Sequence, residues 1–141
     1  MIIRNYTIDD IHAIKDLFKL SLGYEVSFDD LRNRIAIMLE SKNYKILVAE
    51  DNEEVIGFIG LQKSLCFEDP GIVLRIIALG VSNKYQGKGI GTKLIEGAEE
   101  YAKENNISVL LVNSGLKRLQ AHNFYEKNLF NKKGYSFVKK L

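Results

Sequence analysis

The run from Val73 to Tyr101 constrains this chain more than any other. It begins as an apolar stretch, Val73 to Val81, interrupted only by Arg75 and Gly80, and passes through the polar turn Ser82-Asn83-Lys84-Tyr85. It then reaches Gln86-Gly87-Lys88-Gly89-Ile90-Gly91, after which Leu94, Ile95, Ala98 and Tyr101 recur with Lys93, Glu96, Glu99 and Glu100 between them. A short apolar run bounded by turn residues reads as a buried strand, and the 3.6-residue period as an amphipathic helix from Thr92 onward. Glycines just before a helix keep Cβ atoms away from the first-turn N–H groups, which have no partner inside the helix. Those N–H groups, the positive end of the helix and the nearby Lys88 make a cradle suited to a phosphate.

Two common phosphate patterns do not fit. The P-loop needs Ser or Thr after Gly-Lys, and Gly87-Lys88 is followed by Gly89. The dinucleotide pattern G-x-G-x-x-G would need a glycine where Thr92 stands. What remains is Gln86-x-x-Gly89-x-Gly91, placed after a Leu79-x-Val81 strand end and before a helix.

Elsewhere the pattern is that of a small α/β protein. Ile2-Ile3-Arg4 is a short candidate strand. Thr7 can cap a helix, with Asp10 favouring its positive end and Ile8, Ile11, Ile14, Leu17 and Phe18 facing inward up to Gly23. Ser27 caps a second helix over 28–40, whose core face is Leu31, Ile35, Met38 and Leu39. The loop between them, 21–26, offers Tyr24 and Glu25 to a substrate or serves as a plain connector. Tyr44 to Ala49 and Val55 to Leu61 are strand-like runs joined by Glu50-Asp51-Asn52-Glu53-Glu54, a hairpin. Gly57 and Gly60 suggest bends or close backbone approach in the second strand. Cys66 to Gly71 is a loop into the central strand, and Ile107 to Val112 another short strand. Strand, helix, strand is a parallel crossover. A last helix over 117–128 precedes Lys133 to Val138, a terminal strand. With 141 residues, no repeat and no linker-like tract, the chain is expected to form a single domain over 1–141.

Composition excludes several classes. A net charge of +2 gives no argument for nucleic acid. No apolar run approaches the ~18 residues of a membrane span, and Met1 to Tyr6 lacks the features of a signal peptide, so a cytoplasmic protein is expected. Cys66 is the only cysteine and the histidines are two, His12 and His122, so neither a disulfide nor a Cys- or His-based metal site is expected. No Ser-His or Cys-His arrangement offers an enzyme nucleophile.

The glycine turn resembles the Q/R-x-x-G-x-G/A signature of the GCN5-related N-acetyltransferases, the GNAT family. The element order βααβββαβαβ is similar to that family's over nearly the whole chain. Ala121-His122-Asn123-Phe124-Tyr125-Glu126-Lys127 resembles its A-x-x-F-Y-E-K helix, although Asn128-Leu129-Phe130 stands where relatives carry Leu-Gly-Phe. Arg118 stands where many carry Asn, and Arg75-Ile76-Ile77-Ala78 offers no acid where a glutamate base is often found. The resemblance implies the acyl-CoA N-acyltransferase fold: a mixed, mostly antiparallel sheet with a splayed central parallel strand pair and flanking helices.

It also implies a chemistry. Acetyl-CoA is the co-substrate and a primary amine the acceptor, with no nucleic acid or membrane partner. The pantetheine arm lies along the backbone of Leu79 and Val81. The acetyl carbonyl lies at the N–H of Leu79 or Gly80, where its developing oxyanion is stabilised. The pyrophosphate lies on Gln86, Gly87, Lys88, Gly89, Ile90, Gly91 and Thr92. A neutral amine attacks the thioester directly, and Tyr125 protonates the departing thiolate. A non-catalytic acetyl-CoA sensor and an unrelated nucleotide-phosphate binder remain alternatives. A homodimer through the terminal strand 135–138 is a further expectation, since sheet edges invite pairing, with Lys132, Lys133, Lys139 and Lys140 against it.

Overall fold

The apolar runs beginning near Tyr44 and Val55 pair as the hairpin expected of them. The computed structural model describes residues 1–141, and here β2 (Tyr44–Asp51) and β3 (Glu54–Leu65) lie antiparallel with Asp51 opposite Glu54. Asn52 and Glu53 make the turn with φ of 48° and 66°. Two left-handed residues between paired strands match the right-handed strand twist, which is why such turns favour Asn at the first position. β1 (Ile2–Asn5) pairs antiparallel with β2, and β4 (Ile72–Val81) pairs antiparallel with β3. β5 (Leu110–Val112) completes a five-stranded sheet in the order β1-β2-β3-β4-β5, and runs parallel to β4.

The chain divides into two compact units, Met1–Leu111 and Val112–Leu141. In the first, both sheet faces are covered. α1 (Ile11–Leu22) and α2 (Phe28–Glu40) bring Ile11, Ile14, Leu17, Leu31 and Ile35 onto Ile46, Val48 and Phe58. Strand alternation turns Leu47 to the other face, where α3 (Ile90–Glu104) packs so closely that a Cβ on Gly97 would lie 3.2 Å from both Ile3 and Leu47. Burial on both faces explains why β2 to β4 read as near-continuous apolar runs. Gly23 ends α1 in the left-handed conformation, its N–H bonded to Lys19 O, and Ser27 Oγ caps α2 by accepting from Asp30 N–H at 3.1 Å.

The N-terminus of α1 is tied to the sheet by charge. Arg4 on β1 donates through Nη1 and Nη2 to the two oxygens of Asp10 at 2.8 and 2.9 Å, and through Nε to Glu50 at 2.6 Å. The Asp10 carboxylate also accepts from Thr7 N–H at 2.7 Å. Asp10 is buried, and these charge-assisted bonds offset the desolvation of its charge.

Some expectations need correction. Ile8 and Leu39 are exposed. Ile8 lies in a 3₁₀ turn (Ile8–Asp10) whose pitch is out of phase with α1, and Leu39 falls in the last turn of α2. α3 begins at Ile90, two residues before Thr92, and β5 begins at Leu110 instead of Ile107. The second unit contains α4 (Leu119–Lys127), but residues 130–141 form neither helix nor strand, so the expected terminal strand is absent. Tyr135, Phe137 and Val138 are exposed, and a strand-like sequence without a ladder of partners gains nothing from extension. No helix is long and apolar enough to cross a membrane.

Candidate active site

β4 changes its pairing halfway along. Leu61 lies opposite Ile76 and Gly60 opposite Ala78, leaving Ile77 as an extra residue, a β-bulge. A bulge inverts which residues turn their backbone groups to which neighbour. Before it, Leu74 N–H donates to Val109 O at 2.9 Å, on the β5 side; after it, Ser82 N–H donates to Ile56 O at 2.8 Å, on the β3 side. Antiparallel alternation then turns Ala78 and Gly80 toward β3 as well, and turns the backbone groups of Leu79 and Val81 away from it. β5 is only three residues long and starts level with the beginning of β4, so this outward edge extends past its reach. Val81 N–H meets Ser21 Oγ of α1 at 3.2 Å. Of the two groups expected at a carbonyl, Leu79 N–H is the outward one, and Gly80 N–H belongs to the β3 ladder.

Beyond β4 the chain makes one 3₁₀ turn, Asn83–Tyr85, and then the glycine turn. Gly87 and Gly89 have φ of 75° and 80°, left-handed conformations that any Cβ would oppose. Gly89 caps α3, and Lys93 N–H bonds to its carbonyl at 3.0 Å, closing the first helical turn. The N–H groups of Ile90, Gly91 and Thr92 therefore precede the first intrahelical bond and remain for another acceptor. The Gln86 side chain bends back, donating to Asn83 Oδ1 at 3.0 Å, and the Lys88 ammonium lies 5.1 Å from the centre of the Tyr85 ring. The helix start is anchored by buried Ile90, which reaches β3 because Gly57 leaves room: a Cβ there would lie 3.2 Å from Leu94 and 3.3 Å from Ile90.

On the opposite sheet face lies a cavity of about 200 Å³. Phe18 of α1, Val26, Met38 of α2, Phe58 of β3 and the bulge residues Ile77 and Ala78 contribute to its walls. Arg34 of α2 is the one charged residue on the lining; its side chain is exposed and makes no ion pair. Tyr24 and Glu25 do not line it. Tyr24 is exposed, and Glu25 pairs with Lys19 at 3.1 Å on the surface. No carboxylate reaches the cavity. Glu68 and Asp69 precede the other end of β4, about 25 Å from Leu79 at the rise of an extended strand, and Asp69 accepts from the Cys66 thiol at 3.5 Å. No group of three or more His, Cys, Asp or Glu residues is arranged to hold a metal ion.

The cavity and Ser21 were not legible as functional features. In α2 the inward stripe is carried by Leu31 and Ile35, with Met38 half-buried, and Arg34 beside them is exposed.

In the second unit, Tyr125 packs edge-on between Phe124 and Phe130, with ring centres 5.3 and 5.5 Å away. Burial pushes its phenol above the ordinary value, an effect that nearby Arg118 opposes. After α4, Asn128 Nδ2 donates to Phe124 O at 2.9 Å and Phe130 N–H to Tyr125 O at 3.0 Å. Leu129 takes φ of 67°. The turn that relatives build with glycine is thus made with leucine, in a conformation that costs an L-residue roughly 1–2 kcal/mol.

Residues 11–129 match the profile of the Acetyltransferase (GNAT) family. An aminoalkylphosphonate N-acetyltransferase of Salmonella typhimurium is 27% identical over 139 residues, covering 99% of this chain and 90% of that protein. A transcriptional regulator from Bacillus halodurans C-125 superposes with a TM-score of 0.90 at 20% identity, covering 99% of each chain. AAC(6')-Iy, solved with the bisubstrate analogue CoA-S-monomethyl-acetylneamine, superposes with a TM-score of 0.86 at 13% identity, over 99% of this chain and 97% of its own. At these identities the two structures establish the fold, a mixed α/β sheet of the acyl-CoA N-acyltransferase type.

Proposed function

Since the chain belongs to the acetyltransferase (GNAT) family and is an acetyl-CoA-dependent acyltransferase, we propose that it transfers the acetyl group directly to a primary amine of a small molecule or peptide. The observation that carries the reading is the left-handed glycine turn at the end of β4, which leaves the N–H groups of Ile90, Gly91 and Thr92 without helical partners. In the proposal they hold the pyrophosphate, together with the turn Gln86-Gly87-Lys88-Gly89. The outward backbone of Leu79 and Val81 takes the pantetheine arm, and the hydroxyl of Ser21 gives up Val81 N–H to it.

The acceptor enters through the cavity beside Ile77 and Ala78. Its neutral nitrogen attacks the thioester carbonyl, whose oxygen is stabilised by Leu79 N–H while charge develops. The tetrahedral intermediate then collapses, the C–S bond breaks, and Tyr125 gives its phenolic proton to the departing thiolate. The proton lost by the acylated nitrogen passes through water and restores the phenol. A phenol held protonated by burial suits an acid better than a base. With no carboxylate on the cavity wall, water removes the ammonium proton, so the kcat/KM profile rises toward the acceptor's own pKa. Tyr24 and Glu25 serve at the rim, outside the cavity. Residues 1–141 serve as a single acetyltransferase domain in this proposal, in the cytoplasm.

The Salmonella relative makes aminoalkylphosphonates one acceptor to try, beside amino acids, polyamines, aminoglycosides and peptide N-termini. Thiol release from acetyl-CoA that depends on an added amine supports the proposal. Tight acetyl-CoA binding with no turnover across that panel replaces it with a sensor. A homodimer would now require 135–138 to become a strand on pairing, and light scattering that gives a mass near 16.0 kDa rejects it.

A further inference from the structure

We infer that the acceptor is a monoamine with an apolar body about the size of a phenyl ring, and that the cavity which holds this body also helps to strip the proton from the amine. The inference rests on the acetyl-transfer reading for the fate of the amine, but its binding half stands on the cavity alone. The deep part of the cavity wall is buried and the outer part is not. Ile14, Ile35 and Phe58 are buried, whereas Phe18, Met38 and Ala78 are half-buried and Ile77 at the bulge is exposed. Apolar side chains thus run from the floor to the mouth, and a concave apolar surface that meets water is stabilised by an apolar occupant. Gly60 on β3 keeps the sheet side open, since a Cβ there would lie 3.3 Å from Ile77 Cγ1. The volume, about 200 Å³, exceeds the ~150 Å³ that admits benzene in an engineered protein cavity, so a phenyl ring or a branched alkyl group fits.

The same wall decides between ligand classes. It carries no carboxylate, and its one charged residue, Arg34, is exposed. The further ammonium groups of a polyamine or an aminoglycoside would lose their water inside the cavity and gain no partner. A single amine escapes that penalty by staying at the mouth. There it lies beside Ala78, next to Leu79, whose outward N–H is the proposed oxyanion donor. An ammonium among apolar neighbours with no carboxylate is disfavoured against its neutral form. Its proton passes to water, and the neutral nitrogen that remains is the form that attacks. The apolar body therefore serves twice, as an anchor and as the means of drawing the amine into surroundings that favour its reactive form.

The test separates binding from turnover. Met38 is one of two methionines and lines the cavity, so a ¹³C label on its methyl group reports occupancy without any reaction. 2-Phenylethanol, which has the body but no amine, should shift that signal saturably. Val26→Phe, which fills part of the space, should weaken this binding about tenfold or more, with acetyl-CoA affinity unchanged as the check on the fold. In turnover, kcat/KM should rise about fourfold per methylene from ethylamine to pentylamine, which are alike in basicity, and spermidine should fall below pentylamine. For pentylamine, the rising limb of kcat should lie about one pH unit or more below that of kcat/KM, because kcat reports the bound amine and kcat/KM the free one. No saturable shift at Met38 overturns the apolar subsite. A flat amine series, or spermidine ahead of pentylamine, overturns the class. Coincident limbs overturn the part given to the wall in deprotonation. An alcohol that binds at Met38, with no turnover of any amine, keeps the subsite and defeats acetyl transfer instead.

Discussion

The glycine turn draws its polar groups from one short run, Val81 to Thr92, whereas the cavity is walled by residues as distant in sequence as Ile14 and Ala78. The turn is made of main chain: two left-handed glycines and the first N–H groups of α3, with side chains mostly turned aside. The cavity is made of side chains from two helices, a loop and three strands, and its wall is apolar save for the exposed Arg34. Both lie along β4, the turn at its end and the cavity at its bulge. In the proposed function the main-chain N–H groups would read only the phosphate common to every coenzyme A thioester, and would need no particular side chains. The shape of the cavity would read what differs between acceptors. On that proposal one strand carries a general site and a selective site, and they should fail in different ways.

The largest effect should come from a group outside both. Tyr125→Phe keeps the ring that packs on Phe124 and Phe130 and deletes only the hydroxyl proposed as proton donor. A positioned general acid contributes ~10²–10⁴-fold in rate, so kcat should fall by that much while the affinities for acetyl-CoA and acceptor persist. A full-rate variant, measured where chemistry is limiting, returns Tyr125 to packing and moves proton transfer into one of the two compared regions.

Next in size is Gly89→Val. A valine resists the φ of 80°, the turn relaxes, and binding must restore it. With one charge-assisted bond to the pyrophosphate also lost, the acetyl-CoA Kd should rise by about 10²-fold, with the acceptor affinity of the cavity unchanged. Equal losses at both sites in calorimetric titrations would break the comparison.

Acid should separate the regions by stability. The cavity wall α1 is held at its start by Asp10, whose carboxyl the hydrogen bonds from Arg4 keep below the usual range, with burial opposing and Thr7 assisting. Because the folded pKa lies below the unfolded one, the contribution is complete above ~3.9 and is lost as pH falls through the folded value. Asp10→Asn should cost about 2 kcal/mol at pH 7 and flatten the fall of the urea midpoint between pH 5 and pH 3. An unchanged slope would show that another carboxylate sets the acid limit.

The smallest effect concerns the one hydroxyl that spans the two regions. Ser21→Ala leaves Val81 N–H without its partner on α1. If the pantetheine arm takes that N–H, the variant binds acetyl-CoA more tightly by about 2- to 10-fold, the worth of a neutral hydrogen bond. Weaker binding would mean that the serine stays in place and orients the strand for the arm.

Sequence alone determined the parts of this protein that depend on neighbours in the chain. The glycine turn, the caps at Gly23 and Ser27, the helix over 28–40 and the hairpin turn at Asn52 follow from backbone preferences that act within a few residues. So does the aromatic helix containing Tyr125. Tertiary structure alone decided the rest. The bulge at Ile77 exists only as a mismatch between β3 and β4, and it sets which backbone groups of β4 face outward. The cavity is a space left between α1, α2 and the sheet, and no residue carries a space. Ser21 met Val81 across 60 residues of chain. The terminal strand failed for the same reason: its alternation was legible, but a strand needs a partner's hydrogen bonds, which residues 130–141 do not have. Local conformation is encoded where it occurs, whereas register, voids and strand partners are properties of pairs of segments that the sequence lists far apart.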